Sequence, residues 1–162
     1  MILTEISMFR EPRRINRTLS EDHIEDILEK GLYGVLATTG VDGYPYATPL
    51  SYIYHDGKIY FHCAPTGLKM ENILHCDKVS FTVVTDVETL PGQFSTKYRS
   101  VILFGRARNV EGSEKDTALE KIIEKYAPDF IRQGALYIRG KKEITSIIGI
   151  EIEHKTAKGR LE

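Results

Sequence analysis

The feature that most constrains the fold of this chain is a pair of strand-like runs that meet at a tight turn and then lead into a helix. The runs extend from Tyr46 to His55 and from Lys58 to His62, and they are joined by Asp56-Gly57, a residue pair typical of two-residue hairpin turns. Apolar residues then recur at helical spacing between Thr66 and Cys76. The stretch therefore predicts a β-hairpin whose second strand ends next to a helix N-terminus.

The start of this helix is a candidate phosphate site. Thr66 and Gly67 precede the helix, and Lys69 adds a positive charge one step into it. Backbone N–H groups and the helix dipole favour an anion at such a position, and a glycine lets a ligand approach the backbone closely. The alternative interpretation of Lys69 is an ordinary solvated helix lysine, and the spacing alone leaves both open.

The rest of the chain predicts one mainly-β domain over residues 1–162, with helices flanking the sheet. Further strands are predicted at Tyr33–Thr39, Val79–Val84, Ser100–Val110 and Ser146–Glu153, and further helices at Leu19–Leu28, capped by Thr18 and Glu21, and at Ser113–Tyr126. The polar segment Thr85–Lys97, which contains Pro91-Gly92, is predicted to be a loop. Because most strands are sequence neighbours joined by short turns, we expect six antiparallel strands that close into a small barrel.

Two residues mark irregular positions in these strands. Pro49 cannot donate a ladder hydrogen bond, so its strand is expected to be bulged or unpaired there, which leaves backbone groups available to a ligand. Gly105 lies inside a long strand, where a glycine predicts a bend or the close approach of another segment.

Composition limits the possible partners. The net charge of −1 gives no basic excess of the kind that a general nucleic-acid binder shows. Arg10, Arg13, Arg14 and Arg17 form a basic cluster after the opening residues, and we interpret it either as a solvated arm or as a contact for a phosphate or a partner. Residues 1–12 are expected to be a flexible or extended arm.

The sequence also predicts a cytoplasmic protein that does not enter a membrane. No apolar run is long enough to cross a bilayer, and the opening segment is too short and too polar for a signal peptide. The two cysteines, Cys63 and Cys76, form neither a CxxC pair nor a dense framework, which fits a reducing compartment.

Several familiar kinds of site are not predicted. The pairs His62-Cys63 and His75-Cys76 suggest a metal site, but adjacent residues on a strand face opposite sides, so His62 and Cys63 do not readily bind one ion. The chain lacks a GxSxG elbow, a Walker loop and a GxGxxG motif. Metal, hydrolase and Rossmann-type chemistry are therefore disfavoured.

An ordered set of short motifs runs through nearly the whole chain, from Arg13 to Lys158. The set consists of Gly34–Thr38, Gly43–Ser51, Asp56–His62, Gly67–Lys69, Val79–Phe81 and Ser100–Gly105. In this order the motifs resemble those of the pyridoxamine-phosphate-oxidase-like proteins with an FMN-binding split β-barrel. The similarity is strongest to the Nim-type branch, the 5-nitroimidazole-reductase-like flavoproteins.

This resemblance implies a six-stranded antiparallel split β-barrel that forms a homodimer, with FMN at the interface. It implies that Thr48, Pro49, Leu50 and Ser51 line the isoalloxazine ring, mainly through backbone groups. It places His62 and Cys63 beside the ring and the ribityl chain, Lys69 at the phosphate, and Ser100 at the ring. Because a histidine lies close to the flavin in Nim-type proteins, His62 is the candidate catalytic residue, and packing at the barrel rim is the alternative.

The chain departs from the family pattern at one phosphate-binding position. The oxidases have Ser-Arg-Lys before the helix, whereas this chain has Gly67-Leu68-Lys69, so one arginine is missing. Either a basic group from the Arg13–Arg17 arm replaces it or FMN binds more weakly. The residues that bind pyridoxal phosphate in the oxidases also find no clear match, so oxidation of pyridoxamine phosphate is not expected.

Three functions follow from the resemblance. The first is an FMN-dependent oxidoreductase that passes electrons from a nicotinamide donor, NAD(P)H, to a small oxidised acceptor such as a nitro-aromatic. The second is a flavin carrier or sensor without enzymatic activity. The third is a haem-handling protein of the same fold, in which His62 would be an axial-ligand candidate.

Overall fold

The computed structural model describes residues 9–10 and 12–161. Most of the predicted N-terminal arm, residues 1–8 and 11, lies outside the described residues. At the described end of the arm, the Phe9 ring stacks on the His154 ring with their centroids 4.6 Å apart. Among the described residues, no helix combines the length and the apolar character that crossing a bilayer requires.

The described chain contains seven strands and four α-helices. The strands are β1 (Gly34–Thr39), β2 (Pro45–Leu50), β3 (Ile53–His55), β4 (Lys58–Cys63), β5 (Lys78–Leu90), β6 (Ser95–Val110) and β7 (Ser146–Arg160). The helices are α1 (Glu21–Lys30), α2 (Leu68–His75), α3 (Gly112–Tyr126) and α4 (Ile131–Lys141). Short 3-10 helices lie at Ile15–Arg17, Pro91–Gln93, Pro128–Phe130 and Lys142–Ile144. The predicted mainly-β architecture with flanking helices is confirmed.

All seven strands form one antiparallel sheet in the order β2-β1-β5-β6-β7-β4-β3. The strands β2 and β3 lie at opposite ends of this order, yet only Ser51 and Tyr52 separate them along the chain. Three residue steps span at most about 11 Å, so the ends of the sheet must approach each other. The sheet is therefore curled into a barrel, and its described pairing leaves the barrel open between β2 and β3.

The predicted count of six strands is wrong because the run from Tyr46 to His55 is two strands. The fully buried Tyr52 interrupts it: its backbone N–H donates to the Tyr126 hydroxyl at 2.9 Å, and its own hydroxyl donates to the Leu28 carbonyl at 2.8 Å. A backbone group that is bound by a side chain is not available to a ladder. The chain therefore turns at this point from one end of the sheet to the other.

The predicted loop at Thr85–Lys97 is wrong as well. The strands β5 and β6 stay paired as far as Leu90 and Ser95, and the 3-10 helix Pro91–Gln93 makes the turn. A register shift between Thr85 and Glu88 bends this ribbon. Its side chains are mostly exposed and polar, which is why the segment lacks the apolar alternation of a half-buried strand.

Helix boundaries also differ from the prediction. Ser20, rather than Thr18, precedes α1, and its hydroxyl contacts the His23 ring at 2.8 Å. The helix α4 was not predicted, because it contains Gly134 and Gly140 and buries none of its residues. Its apolar residues nevertheless recur at helical spacing to about the same degree as those of α3, so its periodicity was the available signal.

Of the two irregular positions predicted in the strands, Pro49 and Gly105, only Gly105 has the predicted feature. The predicted bulge at Pro49 is wrong, since this residue lies in regular register opposite Val35. Pro49 is tolerated because β2 is an edge strand, where a missing N–H donor leaves no ladder bond unmade. The close approach at Gly105 is confirmed: a Cβ at Gly105 would lie 2.2 Å from the Glu151 carbonyl oxygen, next to a register shift.

Two apolar clusters hold these elements together. The larger one fills the barrel and includes Leu36, Phe61, Phe81, Leu103, Ile148 and Ile150, with Ile27 and Leu28 of α1 packed against it. The smaller one lies beneath α3 and includes Tyr60, Val110, Leu119 and Ile147. Alternate residues of β4 therefore face different clusters, so the strand presents one side to the barrel interior and the other to α3.

Candidate functional site

The junction between β4 and α2 forms the centre of the candidate site. Gly67 precedes α2 with φ of +116°, a backbone conformation that side chains with a Cβ rarely adopt. Its carbonyl accepts hydrogen bonds from the N–H groups of Met70 and Glu71, at 2.9 and 3.1 Å. The N–H groups at the very start of the helix have no intrahelical acceptor. A Cβ at Gly67 would meet nothing within 4 Å, so the space beside this backbone is open.

Lys69 contributes the positive charge of this junction. Its side chain is half-buried, and its Nζ lies 5.4 Å from the centroid of the Phe61 ring. The charge acts on the last two residues of β4, because it lowers the pKa of His62 and opposes the burial effect on Cys63. Helix N–H groups together with this ammonium make a cradle suited to an anion.

The His62 and Cys63 side chains face opposite sides of β4, as the alternation along a strand predicts. Burial of the His62 ring, and secondarily the charge on Lys69, lowers the pKa of this histidine below its usual value of 6.5. The residue nevertheless keeps an exposed edge. Burial raises the pKa of the Cys63 thiol, whose sulfur lies 3.5 Å from the Met70 sulfur. At neutral pH the site therefore contains an uncharged imidazole and an uncharged thiol.

A buried hydrogen-bond chain fixes α2 against the edge of the sheet. The Asn72 amide donates to the Thr38 hydroxyl at 3.0 Å, and that hydroxyl donates to the Tyr46 carbonyl of β2 at 3.4 Å. Neither Asn72 nor Thr38 was predicted as a site residue. The sequence signal that could have identified Asn72 is its position between Met70 and Ile73, because a single amide side chain beside the apolar face of a short helix is a candidate for a buried hydrogen bond. These hydrogen bonds tie the middle of α2 to β1 and, through Thr38, to Tyr46 near the start of β2.

The residues predicted to line the ring occupy the end of β2. Thr48 lies opposite Leu36, and its hydroxyl oxygen is buried without a hydrogen-bond partner among the described residues. Leu50 packs against the barrel core, whereas Pro49 and Ser51 are exposed. Buried polar groups are normally hydrogen-bonded, so an unpaired hydroxyl beside an edge strand is a position where a ligand group would fit.

Ser100 does not join this group within one chain. It lies on β6, and its hydroxyl donates to the Lys158 carbonyl at 3.3 Å. The strands β1 and β5 lie between β2 and β6, which corresponds to about 14 Å along the sheet at normal strand spacing. The structure therefore brings Lys69 of α2 close enough to His62 and Cys63 of β4 to affect their pKa values, and it separates Ser100 from the predicted residues of β2.

The basic arm is found near Ser100 rather than near Lys69. Thr18, which follows the 3-10 helix Ile15–Arg17, forms a bridge to Lys158 of β7, and Lys158 lies opposite Ser100. The helix α2 instead packs on β1. This arrangement therefore gives no support to the expectation that a basic group of the Arg13–Arg17 arm replaces the missing phosphate-binding arginine in the same chain.

Comparison with known proteins agrees with this architecture. A candidate 5-nitroimidazole antibiotic resistance protein from Bacteroides thetaiotaomicron superposes with a TM-score of 0.70 at 20% identity, over 88% of this chain and 86% of that one. A flavocytochrome from Azotobacter vinelandii gives a TM-score of 0.75 at 19% identity, over 94% and 73% of the two chains. A FAD- and haem-binding protein from Mycobacterium smegmatis gives a TM-score of 0.73 at 18% identity, over 88% of this chain and 72% of that one.

At these identities the solved structures establish the fold alone. A search of curated protein sequences finds no match. The sequence model of the pyridoxamine 5'-phosphate oxidase family, in contrast, matches residues 20–160, which is most of the chain. On that match, and with the split barrel that it shares with these structures, the chain belongs to the pyridoxamine 5'-phosphate oxidase family.

Proposed function

We propose that this protein binds FMN and acts as a flavin-dependent oxidoreductase. The observation that carries the proposal is the anion cradle at the start of α2, where Gly67 leaves open space beside the helix N-terminus and Lys69 adds a positive charge. The cradle has one helix N-terminus and one lysine, which suits a single phosphate group. FMN carries one phosphate, so it fits this donor set more simply than a dinucleotide does.

The phosphate cradle and the residues at the end of β2 have separate roles in this proposal. The helix N–H groups and Lys69 hold the phosphate, and residues Thr48–Ser51 orient the ring through their backbone and the Thr48 hydroxyl. The flavin, when bound, supplies the electron-transfer chemistry, and the protein supplies binding and orientation. Two of the compared proteins are described as binding a flavin or as a flavocytochrome, which supports a flavin in this chain.

The proposed reaction transfers electrons from NAD(P)H to a small oxidised acceptor such as a nitro-aromatic. The similarity to a candidate nitroimidazole resistance protein supports this class of acceptor. His62 is proposed as the residue that delivers a proton to the reduced acceptor, because its ring lies at the end of β4 and an imidazole can both hold and release a proton. The non-enzymatic alternative, a flavin carrier or sensor, uses the same cradle without this step.

We also propose that the functional unit is a homodimer. One chain separates Ser100 from the end of β2 by two strands, so a ring that touches both groups requires two chains. The outer face of the sheet between them carries exposed apolar side chains, namely Val84, Ile102 and Phe104. Burying such a face against a second copy removes apolar surface from water.

Haem binding is the second candidate function. A compared protein from Mycobacterium smegmatis is described as binding both FAD and haem. The specific feature of this chain that favours haem is His62, because it keeps an exposed edge and its lowered pKa leaves the imidazole uncharged, as an axial ligand must be.

The visible spectrum of the purified protein tests these proposals, together with mass spectrometry of any molecule released on denaturation. We expect flavin absorbance and the mass of FMN. A Soret band with released haem would instead support the second candidate. A colourless protein that does not bind FMN in a titration would contradict the flavin proposal. Oxidation of NADH or NADPH by the FMN-loaded protein, with and without a nitro-aromatic, distinguishes the enzyme from the carrier.

A further inference from the structure

A cavity of about 190 Å³ lies on the outer side of β4, away from the barrel interior. Its wall is formed by apolar side chains of the two helices that flank it: Leu119, Ile122 and Ile123 of α3, and Tyr137 and Ile138 of α4. Gly134 lets the helices approach closely, since a Cβ at this position would lie 2.5 Å from the Ile123 Cδ1. The cavity is therefore a narrow apolar slot between two helices.

One edge of the slot is basic. His62, Lys141 and Lys142 line it, and none of its lining residues is acidic. Lys142 is already paired with the Asp116 carboxylate of α3. Within the described part of the chain, Lys141 has no such carboxylate partner, and the contact described for it is its carbonyl, which accepts a hydrogen bond from the Thr145 hydroxyl at 3.0 Å. Lys141, an exposed lysine without a carboxylate partner among the described residues, thus borders an apolar space.

The size of the slot restricts its occupant. A cavity of about 150 Å³ lined by leucine, isoleucine and phenylalanine accommodates one benzene ring. A cavity of about 190 Å³ has room for one ring and a small substituent. The Tyr137 ring at its wall favours a planar aromatic occupant, because aromatic rings attract one another beyond their area of contact.

We propose that the slot between α3 and α4 binds a single-ring aromatic carboxylate, with its ring between the two helices and its carboxylate toward Lys141 and His62. The apolar wall accounts for the ring, and the unpaired ammonium accounts for the negative charge. The slot shares His62 with the proposed flavin site but contains no residue of the phosphate cradle. Ligand binding here consequently does not depend on the phosphate interactions of Lys69.

Titration of the purified full-length protein with benzoate tests the proposal, monitored by calorimetry and by amide chemical shifts. We expect saturable binding with a Kd of about 1 mM or tighter, which is ordinary for a small ligand. Benzamide retains the ring without the charge, and acetate retains the charge without the ring. Both are expected to bind at least about tenfold more weakly, since each lacks one of the two interactions. Equal affinity for benzoate and benzamide would refute the charge assignment.

Two variants locate the site. Lys141→Ala is expected to weaken benzoate binding at least about tenfold, the effect of losing one charge-assisted contact. Lys121→Ala is the matched control, because Lys121 is a helix lysine outside the slot that is paired with Glu124. Unchanged benzoate affinity in Lys141→Ala, or shifts confined to residues away from α3 and α4, would overturn the proposal. Lys69→Ala should impair FMN binding and leave benzoate binding intact, so the failure of one proposal is distinguishable from that of the other.

Discussion

At the scale of single residues, Lys69 is the side chain on which flavin affinity should depend most. It provides the charged group of the cradle, and Leu68 stands where the oxidases have a second basic residue. We expect Lys69→Ala to weaken FMN binding by about 1.5–3 kcal/mol, the range of a hydrogen bond to a charged group. Fluorescence titration with FMN measures this loss. Lys78→Ala, which removes an exposed lysine shortly after α2, is the control and should bind FMN as the wild type does.

His62 should affect the rate of acceptor reduction more than flavin affinity. Burial and Lys69 lower its pKa, so the protonated form is lost as the pH rises through a value below 6.5. If His62 donates a proton, reoxidation of the reduced flavin by a nitro-aromatic should be fastest at a pH below the pKa of His62. The rate should fall as the pH rises through that pKa. Stopped-flow measurement of reoxidation at a series of pH values tests this.

The variant His62→Ala should keep most of the bound FMN and should lose the acidic acceleration. His55→Ala removes a histidine at the end of β3 and serves as the control. If His62→Ala reoxidises at the wild-type rate, with the same pH profile and equal FMN occupancy, the histidine has only a packing role.

Gly105 should be the residue at which a single methyl group is most damaging. A Cβ there would lie 2.2 Å from the backbone carbonyl oxygen of Glu151, and a backbone atom in a central strand pair cannot move aside cheaply. We expect Gly105→Ala to lower the free energy of unfolding by about 2 kcal/mol or more. Gly140→Ala introduces the same methyl group where nothing lies within 4 Å, and it should be neutral or slightly stabilising. Urea denaturation of both variants compares them directly.

At the scale of elements, Tyr126 connects α3 to the corner between β2 and β3. Its hydroxyl accepts a hydrogen bond from the Tyr52 N–H at 2.9 Å and lies 2.8 Å from the carbonyl oxygens of Leu32 and Tyr52. Tyr126→Phe leaves these backbone groups unpaired, so we expect a loss of about 1–3 kcal/mol in the free energy of unfolding. Tyr137→Phe, at an exposed hydroxyl on α4, should change stability little. Equal stability of the two variants would contradict a structural role for this bond.

Comparison of the observed strands and helices with those predicted shows which elements a sequence pattern is sufficient to locate. The strands β1 and β4 contain clear apolar runs or alternation, and each was predicted with an error of one residue at an end. The prediction for β7 found its start at Ser146 but ended at Glu153, whereas the strand continues to Arg160. The ribbon at Thr85–Lys97 was not predicted, because it is mostly exposed and lacks the apolar alternation of a half-buried strand. The helix α4 was missed because Gly134 and Gly140 lower its helix propensity. Pro49 led to an incorrect bulge, since the sequence does not reveal that β2 is an edge strand.

At the scale of the whole molecule, we expect a homodimer that is required for flavin binding. Ile102→Lys places a charge on the apolar outer face of β6, where burial in an interface would be costly. We expect light scattering to show a shift toward the monomer together with loss of bound FMN, while circular dichroism shows a folded chain. Leu136→Lys, at an exposed position of α4, is the control. A stable wild-type monomer that carries FMN would contradict this expectation.

The sequence alone determined the local features of this protein. The hairpin at Asp56-Gly57, the glycine and lysine at the start of α2, and the family motifs all depend on residues that are close together in the chain, where spacing and conformational preference act directly. The tertiary structure decided which distant residues meet. It fixed α2 to β2 through Asn72 and Thr38, left the Thr48 hydroxyl unpaired, and kept Ser100 two strands away. It did so because strand order and sheet curvature are set by packing around a shared core, which no local pattern encodes.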